Sequence, residues 1–198
     1  MTRLPVRSPF GPTIVTDRLI LRPPLAQDFE AFCAFCADEA TMRYLGGVAS
    51  PADVWRTLRS LVGAWALDGF AMFSVLERAS GDWIGRVGPI FPHGWPAREV
   101  GWGLASAYLG RGYAKEAAFA CMDYAFDHLG WDRVVHSIDA ANKASVRLAE
   151  CLGSKPTGPG RLPEPYADMP IEIWSQSKSE WLGNRQRLVP TGAHDEDF

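Results

Sequence analysis

The amino-acid sequence predicts an α+β domain with a mixed sheet, and three observations carry that expectation. Residues 70–105 read as three strands in succession, the pattern of an antiparallel meander. Two amphipathic helical segments precede this meander, and beyond it strands alternate with helices. A chain of 198 residues is long enough for one domain with a sizeable core and short for two.

The elements follow in order. "TDRLILRPP" reads as a strand ended by prolines, with Arg18, Ile20 and Arg22 on one face and Leu19 and Leu21 on the other. Residues 26–37 read as an amphipathic helix. In "SPADVWRTLRSLVGAWALDG" Ser50 caps a second helix, Pro51 suits its first turn, Asp53 completes a capping box and Gly69 stops it. "FAMFSVLER" and "DWIGRVGPIF" are strands around the hairpin turn "ASGD". "HGWPA" is a loop and "REVGWGLA" a further strand, whose Gly101 and Gly103 suggest a bulge or a close ligand approach. "GRGYAKEAAFACMDYAFDHLG" is a helix of about four and a half turns ending at Gly130. "RVVHSIDA" is a strand, and "NKASVRLAECLG" a helix between its cap Asn142 and Gly153. A Pro/Gly-rich loop is expected over 156–165, then the strand "MPIEIWS" and a short helix "SKSEWLGNRQR". The expected organisation is an N-terminal extension over 1–13, a single domain over 14–188 and a disordered tail over 189–198.

Composition narrows the function classes. Apolar residues make up 47% and charged residues 22%, as in an ordinary globular protein. A net charge of -3 without a basic stripe argues against a nucleic-acid partner. No apolar run approaches the roughly 18 residues of a membrane span, so no membrane partner is expected. The segment "MTRLPVRSPFGPTIVTDR" lacks the apolar centre of a signal peptide, which points to the cytoplasm. Cys33 and Cys36 form a C-x-x-C, but they share helical spacing with Phe29 and Phe32, so core packing is favoured over redox or metal chemistry. No second C-x-x-C completes a zinc tetrahedron, and no metal site is expected.

The stretch "YLGRGYAKEA" carries the chemistry. A loop that holds a phosphate needs inward-facing N–H groups, and glycines keep Cβ atoms out of the way. A helix that follows adds unpaired N–H groups and the positive end of its dipole. Neither G-x-x-x-x-G-K-[ST] nor G-x-G-x-x-G is present, which argues against P-loop and Rossmann nucleotide sites.

Together, "TDRLILRP", "EVGWGL", "YLGRGYAKEA" and "NKASVRLAECLGS" resemble the GNAT superfamily of N-acetyltransferases, in particular its RimJ/RimL-like branch, over about residues 14–175. The resemblance implies a mixed, mostly antiparallel central sheet flanked by helices. It implies acetyl-CoA as co-substrate, its pyrophosphate held by backbone amides of Leu109, Gly110, Arg111, Gly112, Tyr113 and Ala114. Two positions depart from the family pattern. Ala107 stands where a Gln or Arg often contacts phosphate, leaving that contact to another group such as Arg111. Ser154 stands where an aromatic usually packs.

Acyl transfer to an amine needs a base for the ammonium, a donor for the developing oxyanion and a proton for the leaving thiolate. Glu99 is the candidate base; by resemblance a glutamate here acts on the amine, commonly through water. Glu99 equally reads as a surface residue paired with Arg98 or Arg86. His93 is the second candidate base, although a solvated loop histidine is the plainer reading. The backbone N–H of Leu104 is the candidate oxyanion donor, freed by a bulge. Ser145 is the candidate acid or orienter of the thiol, and Asn142 a candidate contact for the pantetheine arm as well as a helix cap. Tyr113 is expected to pack rather than react. Trp95, Trp102 and Tyr166 are candidate walls of an acceptor pocket, with Glu164 beside them, whereas Trp55, Trp65, Trp83, Trp131 and Trp174 read as core or interface packing.

The expected activity is transfer of an acetyl group to a primary amine by direct attack in a ternary complex. No serine or cysteine lies in a nucleophile elbow. The acceptor classes in the branch are protein N-termini, amino acids and small amines. A non-catalytic acyl-CoA-binding sensor is the alternative, and a nucleotide-binding protein a weaker third. A homodimer stays open from the strand and tryptophan content.

Overall fold

The computed structural model describes residues 10–188; the tail 189–198 and most of the expected N-terminal extension lie outside them. Eight strands form one sheet in the order β1-β2-β3-β4-β5-β6-β8-β7. They are β1 (Ile14–Val15), β2 (Leu19–Arg22), β3 (Phe73–Glu77), β4 (Trp83–Ile90), β5 (Glu99–Leu104), β6 (Arg133–Asp139), β7 (Lys155–Gly160) and β8 (Ile171–Ser177). The ladders β1/β2, β2/β3, β3/β4, β6/β8 and β7/β8 are antiparallel, and β5 meets β6 in parallel at Glu99↔Val135. The helices are α1 (Phe29–Ala37), α2 (Glu39–Met42), α3 (Pro51–Leu67), α4 (Tyr113–Asp123), α5 (Lys143–Cys151) and α6 (Lys178–Leu188). The described chain divides into two compact units, one running to Val87 with Trp102–Leu109, the other comprising Gly88–Gly101 and the residues from Gly110 on.

In the first unit the alternation of β2 buries Leu19 and Leu21 as expected, but Arg22 is buried too. Its guanidinium grips the Asp28 carboxylate through Nη1–Oδ2 at 2.8 Å and Nη2–Oδ1 at 2.6 Å. Ser74 Oγ (2.7 Å) and the Leu25 amide (2.9 Å) donate to Asp28 Oδ2 as well, and Trp83 Nε1 donates to Ser74 Oγ at 3.0 Å. A charge on the expected solvent face is thus drawn in by a partner on the turn that starts α1. That helix turns Phe32, Phe35 and Cys36 onto Met42, Val54 and Leu58, with Cys33 packed against the cluster. Burial raises the Cys36 thiol pKa, and burial, with help from Glu30, raises that of Cys33, the opposite of what a redox thiolate needs. Ser50 caps α3 through the Asp53 amide, as its sequence predicts. Trp65 is buried, whereas Trp55 is exposed at the surface with its ring edge-on to Phe29. β5 runs unbroken through both of its glycines. The absence of a side chain at Gly103 answers to packing, because a Cβ there would lie 3.0 Å from both Phe35 and Leu45.

In the second unit β6 and β8 pair along their whole length, from Arg133↔Ser177 to Asp139↔Ile171. The helix expected to reach Gly130 is α-helical only to Asp123 and closes with a π turn over Tyr124–His128. There α6 docks: Trp181 Nε1 donates to Asp123 Oδ1 at 2.8 Å, and Arg185 bridges Asp123 and Asp127 at 3.0 and 2.6 Å. The predicted Pro/Gly loop over 156–165 is in part a strand, β7. Its prolines are tolerated because β7 is the last strand of the sheet and lacks a neighbour on one side, and its register shifts between Pro156 and Gly158.

Candidate active site

Glu99 opens β5 and is only 6% exposed, so the surface reading fails. Arg98, one of its suggested ion-pair partners, lies instead over the Trp131 ring at 5.6 Å. Two side-chain donors reach the Glu99 carboxylate, and both end on Oε2: Trp95 Nε1 at 2.8 Å and Ser137 Oγ at 2.6 Å. No side-chain donor among the described residues reaches Oε1. Burial raises the pKa of Glu99, opposed by hydrogen bonds from Ser137 and Trp95. Burial thus strengthens the carboxylate as a base.

Trp95 and Tyr166, named from sequence as pocket walls, do meet: their rings stand edge to face at 6.3 Å. The loops that carry them touch, since a Cβ on Gly94 would lie 3.4 Å from Pro163. Trp102 is half-buried on β5. His93 and Glu164 are exposed on their loops, His93 as its solvated reading expects.

At the glycine loop, Gly110 and Gly112 take left-handed backbone angles, φ 72° and 74°, and Gly112 is the N-cap of α4. A Cβ at Gly110 would meet nothing, so the angle rather than crowding requires glycine there. The loop is exposed from Leu109 to Gly112, and Tyr113 is buried as expected of a packing residue. The first backbone bond of α4 runs from the Glu116 N–H to Gly112 O, so the amides of its opening turn lack helical acceptors. One expected donor is removed: the Leu109 N–H is already engaged by Ser106 O at 3.2 Å, because residues 106–108 wind into a 3-10 turn. Just past the end of β5 the Ala105 N–H donates to Ile84 O at 2.8 Å, and Leu104 is the last residue of the strand. Asn142 caps α5 by accepting from the Ser145 N–H at 3.2 Å, which leaves its Nδ2 without a hydrogen bond among the described residues.

Residues 18–155 match the acetyltransferase (GNAT) domain. The chain belongs to the GNAT acetyltransferase family. YkkB of Bacillus subtilis, an uncharacterized protein, is 34% identical over 143 residues, 71% of this chain and 83% of that relative. The uncharacterized N-acetyltransferase p20 of Bacillus licheniformis is 26% identical over 86% of this chain and 99% of its own. A crystal structure of an acetyltransferase from Agrobacterium tumefaciens superposes with a TM-score of 0.74 at 29% identity, covering 83% of this chain and 94% of that one.

As a GNAT acetyltransferase the chain takes the acetyl group from acetyl-CoA, and the family's acceptors are amines. The glycine loop fits the anionic part of that co-substrate: an exposed turn with left-handed glycines, running into a helix whose first amides lie ahead of its first helical hydrogen bond, suits a diphosphate. Among the described residues no helix is long and apolar enough to cross a membrane, and no cluster of three or more His, Cys, Asp or Glu could hold a metal ion.

Two polar residues escaped the sequence reading. Ser137 lies within the apolar run "RVVHSIDA", where nothing marks it as a ligand of Glu99. His136, next to it, is buried between Val100 O at 2.7 Å and Ser154 Oγ at 3.0 Å. The carbonyl accepts, so Nδ1 carries the proton and Nε2 accepts from Ser154. Burial lowers the His136 pKa to about 4. Ser154, which replaces the family's usual aromatic, is therefore the partner that satisfies a buried imidazole.

Proposed function

We propose that this acetyltransferase acetylates a primary amine by direct attack within a ternary complex, on the RimJ/RimL-like side of the family, with Glu99 as general base. The observation that carries the reading is the Glu99 carboxylate: buried, held on one oxygen by neutral donors and raised in pKa by burial. A base of this kind takes a proton from an alkylammonium, whose free form alone attacks. The C–N bond then forms and the C–S bond breaks; the attacking nitrogen sheds a second proton to reach the neutral amide, and one proton goes to the sulfur, which leaves as the thiol.

The remaining roles follow from local geometry. Amides from Gly110 to Ala114 receive the pyrophosphate, with Arg111 beside them. The Leu104 N–H supports the developing oxyanion. Asn142 offers its free Nδ2 to the pantetheine arm, and Ser145 orients the thiol. Trp95 and Tyr166 bound the acceptor. The acceptor classes are a protein N-terminus, an amino acid or a small amine.

Calorimetric titration with acetyl-CoA, with ATP and NAD as controls, tests the co-substrate site, and an amine panel with wild type and Glu99→Gln tests the chemistry. Micromolar acetyl-CoA binding, no heat with ATP or NAD, and acetyl transfer lost in the variant are expected. Absence of acetyl-CoA binding refutes the glycine-loop reading. Binding without transfer to any amine in the panel favours an acyl-CoA sensor.

A further inference from the structure

We propose that Ser137 and Trp95 are positioning residues that pin Oε2 of Glu99, so that Oε1 is the atom that takes the acceptor's proton, and that Trp95 links this base to acceptor fit. The inference rests on Glu99 being the base.

Three features of the geometry support it. The two donors come from different elements, Trp95 from the loop between β4 and β5 and Ser137 from β6, yet they converge on one oxygen. Two bonds on a single oxygen fix both the rotation of the carboxylate and the direction of its other oxygen. No side-chain donor among the described residues reaches Oε1, and Glu99 as a whole keeps 6% exposure. Both side-chain donors fall on one oxygen, which leaves the other for the acceptor. Finally, the same indole that donates to Oε2 stands edge to face with Tyr166, so a molecule that moves the aromatic pair also disturbs the base.

Charged neighbours do not supply the hold. The shift of Glu99 has no charge–charge contribution. On its own strand approach Arg98 covers Trp131. His93, on the Trp95 loop, is exposed, as are the charged side chains of 161–170. On β6 His136 bonds Val100 O and Ser154, and Asp139 accepts from the Ala141 N–H.

The test is kcat/KM against pH for acetyl transfer, in wild type, Ser137→Ala, Ser137→Thr, Trp95→Phe and Glu99→Gln. Loss of a hydrogen bond to the charged form moves the acidic limb of Ser137→Ala and Trp95→Phe to higher pH, by on the order of one unit each. Ser137→Thr, which keeps the hydroxyl, restores the wild-type limb. Trp95→Phe also raises the acceptor KM several-fold, whereas Ser137→Ala leaves that KM within about twofold. If Glu99→Gln removes the limb but the limb stays in place in both Ser137→Ala and Trp95→Phe, positioning is refuted and the base stands. If Glu99→Gln keeps the wild-type profile, the base itself is refuted.

Discussion

The two compact units each bury a carboxylate, and the two are treated in opposite ways. Asp28 is closed on every side: Arg22 grips both of its oxygens, and Ser74 and the Leu25 amide complete the set. Among the described residues Glu99 pairs with no cation, and its two side-chain donors are neutral and share one oxygen. A buried charge with a guanidinium and a full hydrogen-bond set locks the start of α1 to β2 and has nothing left to offer a substrate. A buried charge held by neutral donors on one side keeps a raised proton affinity and a place to put the proton. Counting partners on each oxygen separates structure from chemistry here better than burial does, since both residues are buried.

Removing each carboxylate sharpens the contrast. Asp28→Ala strands the Arg22 guanidinium and is expected to cost about 3–5 kcal/mol of unfolding free energy, read by urea denaturation. Asp28 stands outside the chemistry, so a folded fraction of this variant keeps its kcat. Glu99→Gln is expected to do the reverse, with kcat/KM falling by about 10²–10³-fold. Because the folded pKa of Glu99 is raised, its ionisation at neutral pH costs stability, and the neutral amide leaves the melting temperature unchanged or higher.

A buried imidazole gives a third, smaller effect. The folded pKa of His136 is about 4 against an ordinary 6.5. Stability from this group is complete above the unfolded value and falls as pH drops from 6.5 toward about 4. The full loss is about 3 kcal/mol by linkage. Unfolding measured from pH 7.5 to 4 should show this decline, and His136→Gln, which cannot be protonated, should flatten it. The smallest effect is at the glycine loop. Gly110→Val forces a β-branched residue to φ 72° where no neighbour crowds it, so the fold tolerates the change while acetyl-CoA binding weakens about tenfold by calorimetry.

The sequence was legible wherever one local rule decided the outcome. Ser50 and Asn142 are caps by type and place, and α3 and α5 begin where those caps put them. Glu99 and the glycine loop stand out because "EVGWGL" and "YLGRGYAKEA" carry unusual residues at the ends of regular elements. What failed depended on partners distant in sequence. The burial of Arg22 needs Asp28 and Ser74, and the register Arg22↔Ser74 crosses about fifty residues of intervening chain. Ser137 is silent until the parallel meeting of β5 and β6 brings it to Glu99. Gly103 looked like an opening for a ligand and is instead filled by Phe35 and Leu45. β7 was hidden by its prolines, which exclude a central strand but not an edge one. The Leu109 amide was counted as a phosphate donor because no sequence rule foretold the 3-10 turn that engages it.

The central claim is that Glu99 is the base, and the pH profile of kcat/KM in wild type and Glu99→Gln tests it most directly. The wild type is expected to lose activity toward acid through a limb above the ordinary carboxylate range, and Glu99→Gln to lack that limb while keeping the rise toward the acceptor amine's own pKa of about 10. A Glu99→Gln enzyme with the wild-type limb and rate would contradict the account.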